Sequence, residues 1–125
     1  MAFKVLVVDD EKDLRDLISY FLKRASYDVE VAENGLEAFK IVQSWHPQLV
    51  ISDVRMPVSD GFELIENITA MATPFIPVLF ISGYGGGDEA KLKQNPHCVG
   101  FVSKPVKKTD LINYVKKIEM TGRID

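Results

Sequence analysis

Cysteine is nearly absent from this chain. Cys98 is the single cysteine in 125 residues, so no internal disulfide can form. It lies beside Val99 in an apolar segment and is expected to be a core thiol rather than a reactive one. Histidine is scarce as well. His46 and His97 each adjoin a proline at an element boundary, and with one cysteine they leave no cluster that would hold zinc. Long apolar runs are missing, and the longest have strand length, which excludes a membrane-spanning helix. No basic arm is present. Lys107-Lys108 and Lys116-Lys117 are short pairs expected to be solvated, and a formal net charge of −3 gives no reason to expect direct nucleic-acid binding. Met1-Ala2-Phe3-Lys4 leads straight into a strand pattern without the features of a signal peptide, and a cytoplasmic location is expected. Gly85-Gly86-Gly87 lacks a following Gly-Lys-Ser/Thr, so it is read as a hinge and not as a phosphate loop.

What is present is a regular alternation of strand and helix patterns. Val5-Leu6-Val7-Val8 is a buried strand pattern, and Leu14, Leu17, Ile18, Phe21, Leu22 and Ala25 then recur at helical spacing. A strand over Asp28–Ala32 follows. Asn34 with Glu37 fits a capping box for a helix that ends at His46-Pro47. Leu49–Asp53 is the third strand. Asp60 with Glu63 repeats the capping pattern for a helix reaching about Met71, and Pro74 and Pro77 bracket the approach to the next strand, Val78–Ile81. A short helix near Asp88–Gln94, a strand over Cys98–Ser103 and a helix over about Lys107–Glu119 complete the pattern. The last helix could also start later, capped by Thr109. The chain therefore predicts one α/β domain, residues 1–125, with a core over about 3–119 and a short polar tail over 120–125. The most apolar strands belong at the centre, and Asp28 and Glu30 mark the second strand as an edge. The expected architecture is a flavodoxin-like (βα)5 doubly wound parallel sheet, order 2-1-3-4-5, with helices on both faces.

In such a sheet ligands bind beyond the carboxyl ends of the strands. Those ends carry Asp9-Asp10, Asp53, Ser82 and Lys104-Pro105. Three carboxylates within ~5 Å repel by roughly 3 kcal/mol per pair at an effective dielectric of 20. Either a raised pKa or a bound cation relieves that repulsion. Hard oxygen ligands select Mg²⁺, Mn²⁺ or Ca²⁺. An aspartate beside such a metal can attack phosphorus to give an aspartyl phosphate, and Lys104 and Ser82 can bind the new phosphoryl oxygens.

These pieces, Val8-Asp9-Asp10-Glu11, Asp53-Val54-Arg55-Met56-Pro57 with Asp60-Gly61, Ile81-Ser82-Gly83 and Phe101-Val102-Ser103-Lys104-Pro105, resemble the receiver domain of two-component response regulators from about Phe3 to Glu119. The resemblance implies a phosphorelay switch and not a turnover enzyme. It implies Asp53 as phosphoacceptor, and a Mg²⁺ (or Mn²⁺) site of Asp10, Asp9, Asp53 and the Arg55 backbone carbonyl. Asp10 binds the metal directly and Asp9 mainly through a metal-bound water. It implies Lys104 and Ser82 as phosphate-sensing residues, Ser82 and Phe101 as the switch pair, and a cis bond before Pro105. The implied partners are a sensor histidine kinase or phosphotransfer protein, and a downstream target or output domain. Those downstream contacts, or a phosphorylation-dependent homodimer, would use the face of the fourth helix, fifth strand and last helix.

Gly83 stands where alanine is common in that family, and Tyr84 follows. Arg55 and Tyr84 are expected to border the phosphoryl group and tune dephosphorylation. Gly61 is expected to permit a turn after Met56-Pro57. The alternative is an aspartyl-phosphate phosphatase of the haloacid dehalogenase kind, but that fold uses Asp-x-Asp and an inserted cap, whereas this chain has adjacent Asp9-Asp10 and no room for one. An FMN carrier would need a hydroxyl-rich loop where Asp9-Asp10-Glu11 would repel phosphate.

Overall fold

The computed structural model describes residues 2–71, 75–83 and 87–124. Its elements, in chain order, are β1 (Lys4–Val8), α1 (Lys12–Arg24), β2 (Asp28–Ala32), α2 (Gly35–Trp45) and β3 (Leu49–Asp53). They are followed by α3 (Gly61–Thr69), β4 (Val78–Ser82), α4 (Asp88–Leu92), β5 (Cys98–Ser103) and α5 (Lys108–Thr121). The five strands form one parallel sheet in the order β2-β1-β3-β4-β5, as the apolar ranking of the strands predicts.

Alternation along each strand divides the core in two. Leu6, Val8, Val50 and Phe80 face α2, α3 and α4, where they pack with Ala38, Val42, Leu64, Ile68 and Leu92. Val5, Val7, Leu49, Ile51, Leu79 and Ile81 face α1 and α5, where they pack with Ile18, Leu22, Leu111, Val115 and Ile118. Every residue of β3 and β4 is buried, which is why these strands read as unbroken apolar runs. In β2 only Ala32 is fully buried, consistent with its edge position. Leu17, part of the first helical pattern, and Leu36, on the first turn of α2, are about half exposed at 43% and 51%.

The predicted caps form. Asn34 Oδ1 accepts from Glu37 N–H at 2.9 Å, and Asp60 Oδ1 accepts from Glu63 N–H at 3.1 Å. Each such cap is worth about 1 kcal/mol. Helix α2 stops where His46 takes up a left-handed conformation, φ 53°, just before Pro47.

Several boundaries differ from the expectation. Helix α3 ends at Thr69, not Met71, because the last turn tightens and Met71 N–H bonds to Ile68 O. Helix α4 ends at Leu92, not Gln94. There the Gln94 and Asn95 N–H groups reach back only three residues, and Asn95 precedes a proline. Helix α5 starts at Lys108 after an extended Lys107 that makes no side-chain cap, so Thr109 lies inside the first turn and is not the cap. It runs past Glu119 to Thr121 because nothing breaks it before Gly122, whose φ of 81° turns the chain. The segment after Met120 is thus not simply a polar tail: Ile124 packs on the α1/α5 core cluster and lies against Gly100. Pro74, Tyr84, Gly85 and Gly86 lie outside the described residues.

Candidate functional site

Parallel pairing brings the carboxyl ends of β1, β3, β4 and β5 to one edge. Asp9, Asp10 and Asp53 each place a carboxylate oxygen within 4.8 Å of the other two. Asp9 is fully buried. Its Oδ1 accepts from Glu11 N–H at 2.8 Å, while its Oδ2, among the described residues, is the buried side-chain oxygen without a hydrogen-bond partner. Burial, reinforced by the charges of Asp53 and Asp10 and opposed by the Glu11 N–H and Lys104, pushes the Asp9 carboxyl up to about 6. A buried acid with one orphaned oxygen, facing two further carboxylates, fits a divalent cation. The donors are hard oxygens, which suits Mg²⁺ or Mn²⁺. Asp10 is exposed and has room for a water-rich ion.

Asp53 is held on both sides. Oδ1 accepts from Val54 N–H at 2.8 Å, and Oδ2 accepts from Lys104 Nζ at 3.1 Å. Burial works against the Lys104 ammonium, but its hydrogen bond and attraction to Asp53, with Asp9 and Glu11 adding, raise its pKa overall. The Lys104–Pro105 peptide bond is cis, as expected. Asp10, Asp53, Arg55, Gly83, Asp88 and Lys104 help line a cleft of about 350 Å³ over these groups.

Gly61 acts differently from the expectation. The left-handed residue of the β3–α3 loop is Val58, φ 73°, and not Gly61. What Gly61 supplies is room: a Cβ there would lie 2.8 Å from Asp53 O and 2.8 Å from Phe80 Cε1. Its N–H also donates to Val54 O at 2.8 Å, so α3 starts directly against the end of β3.

The residues expected to sense the phosphoryl group are not all gathered on Asp53. Ser82 Oγ donates to Glu89 Oε2 at 3.0 Å. Arg55 reaches across the cleft to Asp88, with Nη2–Oδ1 at 2.7 Å and Nε–Oδ2 at 3.2 Å, and its guanidinium lies 5.2 Å from the Phe62 ring centre. Phe101 is half-buried and stacks on Phe80 at 6.1 Å. Tyr84 lies outside the described residues. Asp88 and Glu89 are site neighbours that the sequence did not single out. The available signal was two acids opening the short helix after Ser82, which also reads as an ordinary helix start.

The response regulator receiver domain model matches residues 5–116. Among curated proteins, a "probable transcriptional regulator ycf29" from Porphyra purpurea is 31% identical over 94% of this chain, and the match spans 57% of that protein. The chain thus covers little more than half of that relative. The chemotaxis response regulator CheY4 of Vibrio cholerae is 31% identical with a TM-score of 0.83, covering 94% of this chain and 99% of that one. NtrX from Brucella abortus is 32% identical with a TM-score of 0.86, covering 97% of this chain but 27% of that one.

Proposed function

Since the chain belongs to the response regulator receiver domain family, a part of two-component systems, we propose that it is a phosphorylation switch with Asp53 as phosphoacceptor. The observation that carries this reading is the setting of Asp53. Its carboxylate is fixed by Val54 N–H and Lys104, and beside it lies the buried, unpartnered Asp9 Oδ2. An Asp53 oxygen attacks phosphorus, the bond from phosphorus to the histidine nitrogen of a kinase or phosphotransfer protein breaks, and an acyl phosphate forms. Water later attacks the same phosphorus, which releases phosphate and restores the carboxylate. Asp9, Asp10, Asp53 and the Arg55 carbonyl would hold Mg²⁺ or Mn²⁺, which supplies positive charge for the phosphoryl oxygens.

Phosphorylation adds about −1.5 to −2 charges and three strong acceptors. Lys104 is already in place to meet them, and Ser82 is the hydroxyl to be recruited. Phe101 is the aromatic whose position follows Ser82, and the α4–β5–α5 face then changes for a protein target, an output domain or a second copy. Arg55 and Tyr84 would set water access and hence the lifetime of the phosphoryl group. Moving such a switch from 1:99 to 99:1 takes about 5.5 kcal/mol of differential stabilisation. Two charge-assisted bonds at ~1.5–3 kcal/mol each approach that figure. The chain's own chemistry is thus a single-use transfer followed by reset. Among the described residues no helix is long and apolar enough to cross a membrane.

Incubation with acetyl phosphate and Mg²⁺, followed by intact mass, tests the reading. One phosphoryl group is expected on the wild type and none on Asp53→Asn or in the presence of EDTA. A wild type that gains no mass sinks it.

A further inference from the structure

The Ser82 hydroxyl has one proton, and in this structure that proton is committed. It goes to Glu89 Oε2 at 3.0 Å, on the first turn of α4. Towards any other acceptor Ser82 Oγ presents only lone pairs, which repel an oxyanion. The neighbouring residue makes a parallel attachment, since Asp88 holds the Arg55 guanidinium through two nitrogens. Adjacent residues of α4 therefore bind a side chain from the end of β4 and another from just after β3. Helix α4 is in turn coupled outward: Lys93 Nζ lies 5.9 Å from the centre of the Phe101 ring, and Lys91 Nζ lies 5.4 Å from that of Phe62.

We propose that Glu89 is a positioning residue that competes with a phosphoryl group on Asp53 for the Ser82 proton, with Asp88 steadying the same turn through Arg55. The proposal rests on the receiver reading above. Ser82 can donate to a phosphoryl oxygen only by breaking its bond to Glu89. Once broken, that bond leaves a half-buried carboxylate facing a site that has just gained negative charge. The two anions repel, and the first turn of α4 loses its hydroxyl partner, keeping only the Asp88–Arg55 contact. The same event shifts Lys93 relative to Phe101. Transfer of one proton's hydrogen bond is thereby converted into movement of α4, and the resting state is stabilised by a contact that the phosphorylated state cannot keep.

The test uses the whole chain, acetyl phosphate and Mg²⁺, with intact mass followed over time for the wild type, Glu89→Ala, Ser82→Ala and the Ser82→Ala/Glu89→Ala double variant. Removing Glu89 is expected to raise the initial rate of Asp53 phosphorylation by about tenfold, the scale of one partly exposed charge-assisted hydrogen bond. Glu89→Gln keeps an acceptor without the charge. It should fall between wild type and Glu89→Ala, and it serves if the alanine variant does not fold. In the Ser82→Ala background the Glu89 substitution should give a much smaller gain, because the hydroxyl over which the two acceptors compete is gone and only the charge repulsion is relieved. An equal gain in both backgrounds would mean that Glu89 merely repels the anionic donor, and would overturn the proposal. So would unchanged rates in Glu89→Ala and Glu89→Gln while the wild type phosphorylates normally. A wild type that takes no phosphoryl group overturns the receiver reading and the proposal with it.

Discussion

Strands β3 and β5 both end in the site, but they are built to opposite specifications. β3 is flanked on both sides by strands in continuous register, and all five of its residues are buried. β5 is an edge strand. Its first four residues are half-buried, and its pairing with β4 is interrupted by a register shift at Val78/Leu79. Under the proposed function, the carboxylate that makes and breaks a bond to phosphorus, Asp53, ends the fully buried strand. The aromatic and the lysine that would register the result under the same reading, Phe101 and Lys104, sit on or just after the half-buried edge strand. Positioning for bond-making tolerates little error, whereas a reporter must have somewhere to go. The two demands are separated by two strand spacings rather than reconciled in one place.

The stacked pair Phe80 and Phe101 tests that contrast most strongly, because the two rings are register partners on β4 and β5. Phe80 is fully buried, so Phe80→Ala should cost about 3–5 kcal/mol of unfolding free energy by urea titration. Phe101→Ala should cost less than half of that, and equal costs would erase the distinction between centre and edge. Glycines provide a second pair. Gly61→Ala would press a methyl group against Asp53 O and the Phe80 ring, with an expected loss of about 1–3 kcal/mol and slower phosphorylation. Gly100→Ala meets only side chains, chiefly that of Ile124, which can give way, and should stay within about 0.5 kcal/mol.

A separate expected effect is one of pH. Burial holds the Asp9 carboxyl up to about 6, against 3.8 for an ordinary aspartate. Between those values the folded chain binds more protons than the unfolded one, so stability without divalent cations should fall as pH rises from about 4 to 6. The fall should be on the order of 2 kcal/mol at most, and Asp9→Asn should flatten it. A rise in stability across that window would mean that Asp9 is not held in the buried setting described.

Most of this arrangement is legible in the sequence because buried parallel strands advertise themselves. Continuous apolar runs gave the sheet, and the polar residue ending each run gave Asp9, Asp10, Asp53, Ser82 and Lys104. The caps Asn34 and Asp60 are equally local signals. What escaped prediction depends on contacts between distant segments or on local backbone cost. Glu89 differs from any other helix-starting acid only because β4 delivers Ser82 to it. Ile124 looks like part of a tail until Gly122 folds it onto Gly100. Val58 is the least readable, since a β-branched residue disfavours the left-handed region it adopts, and nothing in its neighbours announces the exception. The sequence pointed to Gly61 for that role, whereas the backbone needed Gly61 for clearance.

Cys98, expected as a core thiol, is only half-buried at the start of β5, where it packs against the edge of the core. Burial pushes its pKa up, against the Gly100 N–H and the Lys93 charge. A thiol reacts with alkylating reagents as its anion, so burial should slow this one and opening of the edge strand should speed it. As the sole cysteine of the chain, it is a built-in clock for the opening of the β5 edge, and it can be read without introducing a foreign probe.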